Sequence, residues 1–290
     1  MNKLFLLGLL VAVSVGSEYA LQAQWKDLDN VFGRTGTIKN DVYKVTFPRT
    51  DLKVKIDDIP LEPGLALTAW IAFRTMNTST MMMGDLVLLE SEINPVEQEL
   101  VANHISITAL HNHIIGEKPK VMYLHFEGKG EPRKLAEAIK TVLAQTGTLM
   151  TPQKIQPTGN EEADWSHVES ILGFAGQHKG NLLQFGFPRS EIITEQGMDI
   201  PAFMGTATAI NMQKSGERIA TTGDFVLLAD EVNPVAKTLI EHGIAVTAIH
   251  NHMLNESPRL FMLHFWSVGT PENIARGLRM ALDNISSSKK

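Results

Sequence analysis

The chain of 290 residues contains no cysteine. That excludes disulfides, iron–sulfur clusters and thiolate metal sites, so any metal must be held by His, Asp or Glu. It also lacks an excess of positive charge: 26 Lys and Arg against 32 Asp and Glu leave a net charge of −6. A surface built to meet phosphates needs the opposite balance, so nucleic acid is not an expected partner. Nor does it begin with a run long enough to span a bilayer. Leu4 to Val15 make an apolar stretch of twelve residues, short of the roughly 20 that a membrane helix requires. Lys3 precedes that stretch and Leu21-Gln22-Ala23 follows it. Residues 1–23 therefore read as a secretory signal peptide cleaved near Ala23, with no stable membrane anchor and a periplasmic or secreted product.

What the chain does have is a copy of itself. At an offset of 139, Gly84–Phe126 matches Gly223–Phe265 at 21 of 43 positions without a gap. Chance identity at ordinary usage is about one in sixteen. Upstream, at an offset of 140, Trp25 matches Trp165, and Phe47-Pro48-Arg49 matches Phe187-Pro188-Arg189. The expected organisation is a signal peptide (1–23), a first module (24–150), a linker (151–164) and a second module (165–290).

Each copy reads alike: a short amphipathic helix, extended segments near Tyr43–Phe47 and Leu65–Phe73, and an apolar strand opened by Gly84-Asp85. A helix capped by Asn94 with Pro95 at its first position comes next, then a hairpin (Ser106–Ile114, Val121–Glu127) and a closing helix from Pro132. This predicts an α+β fold of two tandem modules. Each has an antiparallel sheet with helices packed on one face, and the pair is related by a pseudo-two-fold axis.

The hairpin carries the pattern H-N-H-x3-E-x-P-x5-H twice. His111 and His113, two apart on a strand, share a face. A turn centred near Lys118 sets His125 opposite His111, with Met122, Leu124 and Phe126 forming the apolar face. His250, His252 and His264 repeat the set. Three imidazoles on one face suit a divalent transition ion, zinc first, with a position open for water. Glu117 and Glu256, in the turns, are candidate catalytic groups, as a general base or a fourth ligand. A non-metal acid/base or ligand-binding cluster and a structural polar network are the alternatives.

Two resemblances fail on the residues. H-x-H-x3-E is half of the cupin motif, but Ile105 and Leu124 stand where cupins have glycine, and a helix interrupts the strands. The letters HNH name a nuclease motif of spaced residues, and the acidic charge argues against DNA. Arg49 and Arg189 are candidate binders of a small anionic ligand, with an ion pair as the commoner role for such an arginine. Asp85, Asp224, Glu92 and Glu231 read as structural carboxylates near a helix N-terminus. Met81–Met83, present in one copy only, read as a strand edge or turn, with Cu(I) binding as the alternative.

The segments GRTGTIKNDVYKVTFPRTDLKV, MGDLVLLESEINPV and ITALHNHIIGEKPKVMYLHFEGKG, with their second copies, resemble the LppY/LpqO family, also known as domain of unknown function 1259. The resemblance spans both copies, and E-x-N-P-V and A-L-H-N-H-x3-E-x-P are its most specific parts. It implies export and the fold rather than an activity. This chain lacks the lipidated cysteine of the family's lipoproteins, which suggests a soluble form. Three functional readings follow: a metal-dependent, hydrolytic enzyme; a periplasmic binding protein for a metal or small ligand; and a non-catalytic envelope interaction protein whose histidines form a structural network.

Overall fold

The computed structural model describes residues 25–153 and 163–285. The proposed signal peptide and most of the proposed linker lie outside the described residues.

The first module opens with helix α1 (residues 25–32). Strands β1 (Thr37–Lys39) and β2 (Val42–Pro48), a small ribbon of β3 (Lys55–Ile56) and β4 (Ile59–Pro60), and a one-turn helix α2 (Pro63–Ala66) follow. Then come β5 (Thr68–Met76), β6 (Ser79–Leu89), α3 (Glu90–Ala102), β7 (Ser106–His111), β8 (Val121–Gly130) and α4 (Pro132–Leu143). The six long strands make one sheet in the order β1-β2-β5-β6-β8-β7, with every pair antiparallel.

The second module repeats this as α5 (Ser166–Leu172), β9 (Gln177–Lys179), β10 (Leu182–Pro188), β11 (Thr194–Glu195), β12 (Met198–Asp199) and β13 (Ala207–Ser215). It ends with β14 (Arg218–Leu227), α6 (Ala229–Glu241), β15 (Ala245–His250), β16 (Phe261–Gly269) and α7 (Pro271–Leu282). A single 3-10 turn, Ala202–Met204, stands where the first copy has α2. The expected α+β duplication is the fold.

Alternation along each strand assigns its two faces different work. Tyr43, Val45, Phe47, Phe73, Leu86 and Phe126 point to the helices and pack with Leu28, Phe32, Val96, Leu100 and Ile139. The opposite face meets the other module. Val42, Ala72, Met81 and Met83 form a shared core with Val226, Met262, Met204 and Ile200. The methionines thus lie inside β6, not at an edge or turn. The layers run helices, sheet, sheet, helices.

The crossing is reciprocal, as a pseudo-two-fold requires. The α2 turn packs on β13 and β14, and the Ala202–Met204 turn packs on β2 and β5. Gln213 accepts from the Glu62 N–H at 2.8 Å and donates to the Pro60 carbonyl at 2.8 Å.

Two local expectations change. The strand expected from Gly84 begins at Ser79 and passes straight through the glycine. A Cβ there would sit 2.3 Å from the Phe126 ring and 2.7 Å from the Trp70 carbonyl. Close approach of neighbours, not a turn, demands glycine at this position. Helix α3 begins at Glu90, leaving Pro95 in its interior. The Glu92 carboxylate, not Asn94, caps it by accepting the Leu89 N–H at 2.8 Å, and Glu231 repeats this with Leu228.

Candidate functional site

The hairpin strands β7 and β8 bring His111 and His125 to the face turned toward the other module. Ala109 pairs with His125 and His111 with Tyr123, after a bulge between Ile107 and Ala109. The expected pairing of His111 with His125 is displaced by two residues, because β7 stops at His111 and residues 112–120 form a wide loop. A displacement of two keeps side-chain parity, so His111 and His125 still share a face. His113 lies in that loop rather than on the strand, with its ring stacked on Tyr123 at 3.3 Å between centroids.

The two hairpins are not separate. His111 and His250 meet with ring centroids 3.5 Å apart. His113 stacks on His264 at 3.8 Å and His125 on His252 at 3.7 Å. Exchanging the copies turns each of these pairs into itself or into the other, so the pseudo-two-fold axis runs between His111 and His250. The ligating atoms form two overlapping groups. One is His111, His113 and His125; the other is His111, His250, His252 and His264. Within each group these atoms lie within 4.8 Å of one another. His111 belongs to both.

Burial holds these rings neutral. Desolvation is the first cause in every case, and neighbouring imidazoles reinforce it for all but His250. His264 is pushed down to about 3 and His250 to about 4. His111, His113, His125 and His252 are also pushed well below the ordinary range. A neutral imidazole offers a lone pair instead of repelling a cation. His264 Nδ1 faces the Gly223 carbonyl at 2.8 Å and His111 Nδ1 faces the Asn112 carbonyl at 3.2 Å. In both, the proton belongs on Nδ1 and the lone pair on Nε2. All six Nε2 atoms are buried without a hydrogen-bond partner.

The remaining proposed residues lie elsewhere. Glu117 and Glu256 belong to neither imidazole group. Glu117 accepts the Val121 N–H at 3.3 Å and pairs with Lys120 at 2.9 Å. Glu256 does the same with Leu260 and Arg259. Each ties its own loop through these contacts, and the second carboxylate oxygen of Glu117 is buried without a hydrogen-bond partner. Arg49 is fully buried. Its five N–H groups are taken by Asp51, Glu92 and the Val87 carbonyl. Arg189 does likewise with Glu191, Glu231 and the Val226 carbonyl. Neither arginine has a donor left for an anion, so both are ion pairs instead of ligand-binding residues.

Asp85 and Asp224 are the residues that sequence reasoning misplaced. In β6, Asp85 pairs with His125 across the ladder, as Asp224 does with His264. The Asp85 carboxylate lies 3.7 Å from His125 Nε2 and 3.9 Å from His113 Nε2. Asp224 lies 3.7 Å from His252 Nε2 and 4.0 Å from His264 Nδ1. One oxygen of each is buried and unpartnered, and burial pushes both carboxyls well above their usual range. The signal was present in the repeated Gly-Asp: a charged residue set beside an apolar run in both copies.

A cavity of about 680 Å³ adjoins the cluster, between the sheets. Asp85, Asp224, His113, His125, His252 and His264 line its inner end, and the exposed Thr46 and Lys179 line its outer rim.

Residues 26–145 and again residues 166–284 match the family described as Domain of Unknown Function (DUF1259). None of the curated proteins matches the chain. Among solved structures, the chain is similar to a trimeric bacterial microcompartment shell protein, PduB, at 12% identity and a TM-score of 0.21, with 86% of this chain and 88% of that chain covered. It is similar also to EtuB from Clostridium kluyveri at 10% identity and a TM-score of 0.20, over 86% and 89% of the two chains. Likeness at these scores carries no argument about function.

Proposed function

The chain belongs to the family Domain of Unknown Function (DUF1259) in two tandem copies, and from that premise we propose that it is a divalent-metal protein whose centre lies on the pseudo-two-fold axis. One observation carries the reading. All six hairpin Nε2 atoms, with one oxygen each of Asp85 and Asp224, are buried at one place without a hydrogen-bond partner. Each orphan costs about 1–3 kcal/mol. A structural polar network would have satisfied them; a divalent ion at either imidazole group would satisfy three or four of them together.

The donors fit such an ion. They are neutral imidazoles and carboxylates without sulfur, a set that zinc accepts readily. When bound, the ion supplies Lewis acidity and an acidic water. The chain's own groups do the rest. The Gly223 and Asn112 carbonyls orient His264 and His111, and Asp85 and Asp224 stand where a carboxylate can ligate or accept a proton. A cavity large enough for a small organic molecule reaches four of the histidines. That favours hydrolytic chemistry on a bound molecule over closed storage of the ion. The signal-like residues 1–23 support export to the periplasm or beyond. Among the described residues no helix is long and apolar enough to cross a membrane.

The test is metal analysis of the untagged full-length mature chain, offered zinc, manganese, iron and copper in turn. One to two tightly held ions per chain are expected. Because His111 belongs to both groups, His111→Ala should lower the total content, not that of one hairpin. Retention of no ion above micromolar affinity would refute the reading.

A further inference from the structure

The two halves of the cavity are alike at the histidines and unlike at the outer end. On β2, Lys44 faces the cavity. At the matching position of the second copy stands Gln184, and opposite Trp70 of β5 the second copy has Ala209. Gln184 is neutral and satisfied, donating to the Gly64 carbonyl at 2.8 Å and to Asn211 Oδ1 at 3.2 Å. Lys44 is not balanced in this way. Its ammonium donates to the Phe203 carbonyl at 3.2 Å and lies 3.9 Å from the Trp70 ring centroid. Among the described residues no carboxylate stands within ion-pair distance of it. An ammonium has three N–H donors, so two remain for something else.

We propose that the cavity takes a small amphipathic organic carboxylate, its head on Lys44, its apolar body along Trp70 and Phe203, and its far end at the histidine cluster. The Lys44 ammonium is half-buried and Asp85 acts on it only from beyond ion-pair distance, so a ligand anion within hydrogen-bond reach supplies a closer counter-charge. Gly205 lets its backbone come close to the Trp70 ring, where a Cβ would stand 2.9 Å from it. Trp70 and Phe203 both line the cavity, and their rings give an apolar surface suited to an aromatic or alkyl body. The length of the ligand follows from the ladder. Thr46, the next cavity-facing residue after Lys44, pairs with Trp70, Trp70 with Asp85, and Asp85 with His125. Strands lie about 4.8 Å apart, so the head and the far end are separated by two to three strand spacings, roughly 10–14 Å between backbones. A two-ring acid or a chain of about eight carbons, with carbon–carbon bonds of about 1.5 Å, spans that gap once the side chains are allowed for. The far-end contact rests on the metal reading above; the head-group contact does not.

Calorimetry on the full-length mature protein tests this with 1-naphthylacetate and octanoate against 1-naphthylacetamide and octanamide. Each is measured on zinc-loaded and on chelator-treated protein. The carboxylates should bind at least ten-fold more tightly than their amides in both states. Lys44→Gln, which installs the side chain that the second copy uses, should abolish that preference while zinc content stays unchanged. Equal binding of acid and amide, an unaltered preference in Lys44→Gln, or binding of none of the four would overturn the proposal. If the preference holds in protein that retains no metal, the metal reading has failed and the anion site stands.

Discussion

Replacing Arg49 by methionine separates an ion-pair role from a ligand-binding one. The guanidinium is fully buried and spends all five donors on Asp51, Glu92 and the Val87 carbonyl. Breaking a buried pair from one side costs about 3–5 kcal/mol, because it strands the partner's charge. Two features pull the value to the lower end. Glu92 keeps the Leu89 and Gly147 N–H groups at 2.8 and 2.7 Å, and the Asp51 side chain is 22% exposed and recovers water. The expected loss is about 3 kcal/mol, which for two modules unfolding through their shared core is a fall of about 6–12 °C in Tm. Adding Glu92→Gln removes the stranded charge, so the double variant should be scarcely less stable than Arg49→Met alone. Calorimetry and guanidinium titration measure both, and metal content of the folded variant should match the parent. A loss below about 1 kcal/mol, or strictly additive losses in the double variant, would show that the buried-pair argument is wrong.

Asp85→Asn should lower metal affinity about 10- to 100-fold, as loss of a close carboxylate partner does, without lowering the stability of the metal-free protein; competition with a chromogenic chelator measures it, and unchanged affinity would remove Asp85 from the centre. Gly84→Ala should cost about 1–3 kcal/mol, since the new methyl meets the Trp70 carbonyl, whereas Gly186→Ala, with nothing within 4 Å of its Cβ, should lie within about 0.5 kcal/mol of the parent. The pH dependence has a definite sign. The folded His264 takes a proton at about 3, the unfolded one at about 6.5, so below neutrality the unfolded state binds the proton first and acid destabilises the fold. Between pH 7 and 5 that loss is about 2 kcal/mol for this one residue. With chelator present, His264→Gln should lose that much less over the same interval, and parallel stability curves for the two proteins would contradict a buried neutral ring.

Much of this protein is written in local pattern, and the rest depends on what faces what. The duplication, the order of elements and the inward sets such as Leu124 and Phe126 are legible because strand and helix periods act on neighbouring residues. The histidines were also legible, since two residues along a strand return to the same face and a two-residue displacement of the pairing preserves that parity. Residues without a local signature were misread. Pro95 resembled a helix start, but the carboxylate of Glu92, bound to Arg49 43 positions away, caps the helix five residues earlier. Glu117 stood nearer in sequence to the histidines than Asp85 did, yet its loop turns it onto Val121, while the sheet sets Asp85 across from His125. Each hairpin keeps the triad expected of it, with ligating atoms within 4.8 Å of one another, but the two groups share His111. Sequence alone determined which side chains each module offers, because that depends on the period of one strand. Only the packing of one sheet on the other decided that His111 meets His250 and that the two imidazole groups share a residue and lie beside Asp85 and Asp224. Those contacts join residues about 140 positions apart, and no local rule of spacing reaches that far.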